Sequence, residues 1–512
     1  MPSSSNTRIL KNTLYLYLRM FFVMAVSLYT SRVVLDVLGI EDYGLYNVIA
    51  GFVVLFSILN NSMEVATQRF LTFEIGKGNP KKVDDTFCMS LTAHFGIAIV
   101  LLILCETVGL WYIHNHLVIP EGREHAAYVV YQISLLILMI TIIRTPYNSL
   151  IIAHERMSFF AIVSILGTVL KLLIVYALCV FAVDKLILYA SLLCAVEFLM
   201  LVFYWRYCKK NYQTSYRFFI DPPYFKKLLS FLGWNVMGGF ATLGTQQAGN
   251  LIVNSFFGVA VNAAFGVAYQ VNGALNQFVN NFQTAFRPQI VKLFSQEKYE
   301  DLYLLINRAA LLSYYLIFIV SFPIFVNMDQ VLGFWLKEVP EYSAGLCQLL
   351  ILNGYIDALQ APLWMGITAT GNIRAYQIWT SVLFILNIPL SILFISWGFS
   401  PYWILIIRLM LVVVMAIYRT IHAKRLYALP LSRYFTVIGR VVLSTSCVCL
   451  IWYMFKPFFT TDSLLGFIYI YALLVVISTI IAFTLGISKQ DRGVVVNLVK
   501  SKLLKFKDSR HE

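Results

Sequence analysis

This sequence is poor in charge. Only 12% of its residues are Asp, Glu, Lys or Arg, against 60% hydrophobic residues and a mean hydropathy of +0.76. That deficit excludes a soluble globular domain, and 512 residues leave room for many apolar spans of about 20 residues each. Metal-type cysteine spacing is missing as well. Cys88, Cys105, Cys179, Cys194, Cys208, Cys347, Cys447 and Cys449 lie in or beside apolar stretches and read as small core residues, neither disulfides nor ligands. His114 and His116 occupy a short loop without matching ligands, so surface histidines are expected there and no metal. No GxxxxGK[ST] occurs, and EIGKGNPKK has the wrong spacing, which argues against ATP hydrolysis. A Ser/His/Asp arrangement, a loop-borne carboxylate pair and a large outer loop are all lacking. The chain is therefore expected to be neither a glycosyltransferase nor a glycan polymerase or ligase, and to need no cofactor. Arg8, Lys11 and Arg19 precede a long apolar run with no small-residue cleavage site, so that run should be an uncleaved first span.

What is present is hydrophobic segments in series. Six fall at about 14–37, 44–70, 87–113, 126–152, 158–183 and 186–206, and eight more at about 229–256, 262–286, 303–328, 344–369, 375–396, 401–421, 433–455 and 464–487. The expected fold class is an all-α polytopic membrane protein of about fourteen transmembrane helices. Counting Lys and Arg in alternating connections gives thirty on the side of the N-terminus and four on the other (Arg123, Lys185, Lys337, Lys456). By the positive-inside rule both termini face the cytoplasm, and the net charge of +14 reflects topology, not nucleic-acid binding. Asp221-Pro222-Pro223 opens a basic amphipathic stretch, and the tail from Asp491 to Lys507 has a similar pattern; both should lie on the membrane surface.

Three landmarks recur. Leu38-Gly39-Ile40 is echoed by Phe257-Gly258-Val259, Gln68-Arg69 by Phe286-Arg287, and Pro146 to Ala153 by Pro362 to Ala369. Gly39 to Arg69 is 30 residues and Gly258 to Arg287 is 29; Arg69 to Pro146 is 77 and Arg287 to Pro362 is 75. This ordered spacing predicts a duplicated six-helix unit, both copies entering the membrane in the same sense, with two helices added at the end and a site between the halves. The expected divisions are an N-terminal lobe at 1–207, a basic cytoplasmic linker with an interfacial helix at 208–228, a C-terminal lobe at 229–423, two extra helices at 424–488 and a basic tail at 489–512.

Polar residues inside these spans are few and placed in register. Asn272, Asn276, Asn280, Thr284 and Arg287 form one helical stripe; Gln246, Asn250 and Asn254 form another, and Asn60, Glu64 and Gln68 a third. Arg32, Arg69, Arg144, Lys171 and Arg408, with the acids Asp36, Glu64, Glu106, Glu197 and Asp357, are costly in lipid and should face an interior or a cavity. Plainer readings stand beside this. Arg32 and Asp36 can pair at i, i+4, Arg69 and Arg287 can snorkel and cap helix ends, and amides can bond helix to helix.

The six-plus-six duplication with two extra spans, the LGIEDYGLYN connection and the ATQRFLTFEIGKGN end of the second span together resemble polysaccharide flippases of the multidrug/oligosaccharidyl-lipid/polysaccharide exporter superfamily. The likeness is to the Wzx-like O-antigen and capsule branch. It implies a bacterial inner-membrane protein that moves a polyprenyl-diphosphate-linked oligosaccharide by alternating access, with the glycan lipid and the bilayer as partners, along with polysaccharide polymerase or assembly proteins. Under that resemblance Arg32, Arg69, Arg144, Lys171 and Arg287 are candidates for the diphosphate, because a guanidinium stays charged and binds phosphate oxygens in pairs. Asn60, Gln68, Gln246, Asn250, Asn254, Asn272, Asn276, Asn280 and Thr284 are candidates for the glycan path, since amides both donate and accept. Asp36, Glu64 and Asp357 are candidates for ion coupling. The alternatives are a lipid II flippase for peptidoglycan and a cation-coupled multidrug exporter of the same superfamily.

Overall fold

In hydrocarbon every backbone N–H and C=O must bond within its own segment, so long apolar runs fold as helices. The computed structural model describes residues 2–54, 57–116, 119, 122–178, 184–212, 214–336, 338–456, 463–488 and 492–493, and every regular element among them is helical. In chain order they are α1 (Pro2–Val54), α2 (Ser57–Lys77), α3 (Pro80–Leu104), a π-helical turn (Cys105–Gly109), α4 (Leu110–His116), α5 (Glu124–Ala153), α6 (Met157–Leu178) and α7 (Lys185–Tyr212). Then follow α8 (Pro222–Ser295), α9 (Tyr299–Val326), α10 (Met328–Trp335), α11 (Ser343–Thr370), α12 (Arg374–Ser396), α13 (Tyr402–Tyr427), α14 (Leu431–Phe455), α15 (Leu464–Ile481) and a second π turn (Ala482–Gly486). Among the described residues, eleven helices are long and apolar enough to cross a membrane. The expected interfacial helix after Asp221 is the opening of α8, with Pro222 at its start, and continues without a break into the apolar run. The tail from Asp491 to Lys507, apart from residues 492–493, lies outside the described residues, as do the side chains of His114 and His116.

A straight helix of 74 residues would reach about 110 Å, far beyond a hydrocarbon core of about 30 Å. α8 is in fact two limbs meeting at Gly258, whose φ of 80° and ψ of −176° are non-helical, and α1 breaks in the same way at Gly39, with φ 80° and ψ 170°. Other left-handed positions follow in matching order. Gly39 leads to Gly78, Gly122 and Glu155, and Gly258 leads to Glu297, Tyr342 and Gly371. Gly39 to Gly78 and Gly258 to Glu297 are each 39 residues; the next steps, to Gly122 and to Tyr342, are 44 and 45.

The chain divides into two compact units. The first comprises Met1–Leu243, Thr284–Lys298 and Thr368–Ser381; the second comprises Gly244–Gln283, Tyr299–Ile367 and Val382–Glu512. In the first, α5 is the central helix and packs on α7, α2, α3 and α1, while α1 also packs along α6. Its core includes Tyr131, Leu135, Leu150 and Ile151 from α5 with Leu186, Ala190 and Val196 from α7. Tyr131 donates its hydroxyl at 2.8 Å to the Cys105 carbonyl, satisfying a backbone group in the π turn. The second unit buries Tyr314, Phe318 and Phe322 of α9 against Leu350, Ile351 and Tyr355 of α11, Val441 and Val448 of α14 and Leu474 of α15.

At one end of the first unit a single arginine joins three segments. Arg123, just before α5, donates Nε at 2.8 Å to Asp42, has a second contact with the same carboxylate, and reaches Asp184 with Nη1 at 2.5 Å. Asp184 also accepts the Leu186 and Ile187 amides at the start of α7. Burial alone would raise the Asp184 carboxyl, but the Ile187 amide and the Arg123 guanidinium outweigh it and hold it below the usual carboxylate range. The bond to Asp42 holds the Arg123 guanidinium above its own.

Candidate functional site

The first unit contains a cavity of about 450 Å³ among α1, α5, α6 and α7. Arg144 from α5 and Lys171 from α6 meet there on one carboxylate, Glu197 of α7: Arg144 Nη1 lies 2.5 Å from one oxygen and Lys171 Nζ 2.7 Å from the other. The side chains are 23%, 44% and 12% exposed, respectively, so Lys171 is the most open and Glu197 the deepest. Two cations share one anion, which leaves the cluster one positive charge in excess.

The other walls carry hydroxyls. Ser27, Thr30 and Ser31 fall at i, i+3 and i+4 on α1, and Ser164, Thr168 and Lys171 at i, i+4 and i+7 on α6. Three of these hydroxyls have spent their protons on their own helices: Thr30 donates to the Val26 carbonyl at 2.7 Å, Ser31 to Ser27 at 2.9 Å and Thr168 to Ser164 at 2.9 Å. What they offer the cavity is acceptor lone pairs, suited to donors such as sugar hydroxyls. Tyr189, Tyr204, Phe160 and Asn148 also line the cavity.

Asn148 connects this cavity to α2. It donates Nδ2 at 3.0 Å to Glu64, whose carboxylate is also within electrostatic reach of Arg287, Arg144 and Arg19. Asn60 accepts the Thr145 hydroxyl at 2.7 Å, so two members of the α2 stripe bond to α5. Gln68 is buried in α2.

Arg69 is elsewhere. It is 9% exposed, donates Nη2 at 2.8 Å and Nε at 3.3 Å to the Ala369 carbonyl, and stacks over Phe70 and Phe73. It caps the last turn of α11, and a Cβ on Gly371 would lie 2.7 Å from its guanidinium. Arg32 and Asp36 are both exposed on α1 and no ion pair joins them among the described residues. Thr284 is half-buried in the first unit.

In the second unit, the amides of Asn272 and Asn276 lie close to α11, 3.9 and 3.8 Å from where a Cβ of Gly354 would stand. Asn280 and Asn254 are exposed, Gln246 is half-buried, and Asn250 donates to Gln247 at 3.3 Å. Asp357 is exposed on α11 within electrostatic reach of Arg419 and Arg408, and Arg408 donates to the Tyr269 hydroxyl at 3.1 Å. Of the predicted residues, the structure thus brings Arg144 and Lys171 to one cavity, with Glu64 and Arg287 within electrostatic reach of one another. It does not bring Arg32 or Arg69 to the cavity lining. The bridging role of Glu197 and the hydroxyl stripes are additions; their helical spacing was available in the sequence.

Long apolar helices with a cavity lined by ionised and hydroxyl side chains among them define a multi-span membrane protein with a polar site inside its first unit. Comparison with solved structures gives the fold. The chain resembles an outward-facing multidrug resistance MATE family transporter of the MOP superfamily, at 15% identity over 83% of this chain and 97% of that one, with a TM-score of 0.67. A MATE structure in the bent conformation gives 12% identity, 82% and 96% coverage and a TM-score of 0.69. A MOP superfamily transporter from Pyrococcus furiosus, described as having a binding pocket of reverse polarity that suggests a different function, gives 14%, 82%, 96% and 0.66. No curated protein matches the chain. Residues 9–294 match the family described as polysaccharide biosynthesis protein, and the chain belongs to that family. It is a multi-span membrane protein of the polysaccharide biosynthesis family with the fold of the MATE structures.

Proposed function

We propose that the protein is a flippase that carries a polyprenyl-diphosphate-linked oligosaccharide, a unit of O-antigen, capsule or exopolysaccharide, across the bacterial inner membrane by alternating access. The observation that carries this is the cavity holding Arg144 and Lys171 beside a wall of acceptor hydroxyls. Cations suit the diphosphate and acceptors suit the sugar, while the prenyl chain needs no place inside the protein. Lys171 and Arg144, with Arg287 nearby in electrostatic terms, are the headgroup residues; Arg32 and Arg69 are weaker members of that set, Arg69 because it is spent on a helix end. Asn272, Asn276, Asn280, Thr284, Gln246, Asn250, Asn254, Asn60 and Gln68 stay as glycan-path candidates, and Glu64, Asp36 and Asp357 as ion-coupling candidates. An exporter of cationic drugs would be served by an anionic cavity, and this one has two cations to one acid.

A count of fourteen spans fits the same reading. The eleven apolar helices treat α8 as one, and they omit α2 with the second limb of α1 and α11, where polar residues interrupt the run. Counting the two limbs of α8 separately and adding those two gives fourteen. The matched left-handed positions support duplication of a six-helix unit. Both termini are cytoplasmic in this reading, on the charge count.

The test is Arg144→Gln together with Lys171→Gln in the producing cell. Surface glycan should fall at least about tenfold, the loss expected when a charge-assisted contact worth some 1.5–3 kcal/mol is removed, with membrane levels of the protein unchanged. Normal surface glycan in that variant refutes the headgroup assignment. Arrest of growth, rather than loss of glycan alone, would identify the substrate as a peptidoglycan precursor.

A further inference from the structure

We infer that Glu197 is a resident stand-in for the substrate's anionic group: its carboxylate holds Arg144 and Lys171 while the cavity is empty and is displaced from them by an incoming diphosphate. The inference rests on the reading of this cavity as the headgroup site and adds to it a competitor built into the protein.

The geometry is that of an occupied anion site. Each Glu197 oxygen takes one cation, at 2.5 Å from Arg144 and 2.7 Å from Lys171, and the three residues come from three different helices, α7, α5 and α6. An anion entering the cavity meets neutral hydroxyls at Ser27, Ser164, Tyr189 and Tyr204, but the lining offers it positive charge only from Arg144 and Lys171. The hydroxyls of Thr30, Ser31 and Thr168 are committed to their own helix carbonyls and can only accept. Asn148 donates to Glu64. The charge of a diphosphate can be met in this lining only by the same two cations that Glu197 now holds. Lys171, at 44% exposure the most accessible of the three, is the side chain through which exchange begins.

Such an arrangement meets two needs of a carrier. Without a counter-charge two neighbouring cations repel one another and remain desolvated once the substrate has left; Glu197 removes that cost. It also keeps substrate binding weak enough to reverse. A site that is free for only a fraction of the time has an apparent dissociation constant raised by the inverse of that fraction, so a carboxylate in place nine-tenths of the time weakens binding about tenfold. Release on the far side is then assisted by a group that travels with the site.

The experiment measures binding to the full-length protein in lipid nanodiscs, with farnesyl diphosphate and inorganic pyrophosphate as probes. Glu197→Gln, which keeps the shape and removes the charge, should bind farnesyl diphosphate about tenfold more tightly than wild type. A gain with pyrophosphate as well means that the headgroup alone is recognised; a gain confined to farnesyl diphosphate means that the lipid must seat it. Glu197→Asp keeps the charge on a shorter arm that cannot reach both cations, so it should tighten binding by a smaller factor, and it decides the matter should Glu197→Gln fail to fold. Unchanged or weaker binding in these variants overturns the inference and makes Glu197 a positioning residue for its cations. The underlying reading is judged separately. Arg144→Gln with Lys171→Gln should abolish binding of both probes, and retained binding there refutes the headgroup site itself.

Discussion

Gly258 gives the sharpest test of how the backbone of this protein is built. Its φ of 80° and ψ of −176° belong to a region open in practice only to glycine, and an ideal Cβ placed on it would meet nothing within 4 Å. Alanine there has no steric clash to relieve, so its whole cost is the conformation itself, about 1–3 kcal/mol. Gly266, eight residues further along α8, has the same free space but sits within the helix. Alanine at Gly266 should stabilise by about 0.5–1 kcal/mol, because glycine is the poorer helix former. One substitution at two positions with equal room is thus expected to have opposite signs. Thermal unfolding of the purified protein in mild detergent, followed by tryptophan fluorescence, reads both. Gly39→Ala should behave as Gly258→Ala does, since its φ of 80° and ψ of 170° match and its surroundings are as empty. If Gly258→Ala and Gly266→Ala move the midpoint in the same direction, the break in α8 is not held by glycine and the reasoning fails.

Arg69→Gln should lower stability by about 1.5–3 kcal/mol, through loss of charge-assisted bonds to the Ala369 carbonyl, and so reduce the amount of protein in the membrane. Quantitative immunoblotting should separate it from Arg144→Gln, which changes transport with the protein retained. The Arg123 clamp predicts a pH dependence. Because Asp184 titrates lower in the folded protein than in the unfolded chain, its stabilising contribution is complete above the unfolded value of about 3.9 and fades as pH falls through the lower folded value. Arg123→Gln should remove part of the stability at pH 7 and flatten the acid limb of a plot of unfolding midpoint against pH between about 5 and 2. An acid limb of unchanged slope would show that the clamp is not coupled to folding.

The fold was legible because its determinants are local. Apolar length and the Lys and Arg distribution require no knowledge of contacts, and Gly39, Gly258, Pro146 and Pro362 mark the backbone at fixed intervals. The roles of individual charges were not, because they depend on what crosses from another helix. Arg69 and Arg144 look alike in sequence, each a lone arginine in an apolar segment. One meets a helix terminus 300 residues away and the other a glutamate 53 residues away. The α2 stripe is a similar case. Its period announces a polar face, yet only the structure shows that Asn60 and Glu64 turn that face to Thr145 and Asn148 of α5. The cavity hydroxyls escaped notice because serine and threonine are common in membrane helices and carry no charge to draw attention. What singles them out is their convergence with Lys171, which is a property of α1 and α6 together.

If the two halves are copies, as proposed, their comparison isolates what was kept and what was changed. The left-handed backbone positions were kept, even where one copy has Gly78, Gly122 or Gly371 and the other has Glu297, Tyr342 or Glu155. Counting back two residues from Pro146 and from Pro362 reaches Arg144 in one copy and Gln360 in the other. Arg144 is 23% exposed and faces the cavity with Glu197; Gln360 is 4% exposed and donates to the Tyr434 hydroxyl at 3.1 Å. The same place in the fold is ionic and open in the first copy, neutral and closed in the second. At this position the scaffold has kept its backbone constraint while its charge diverged, so the anion site proposed for the first unit has no counterpart at Gln360. The cation cluster of the first unit is therefore where substrate chemistry should be sought.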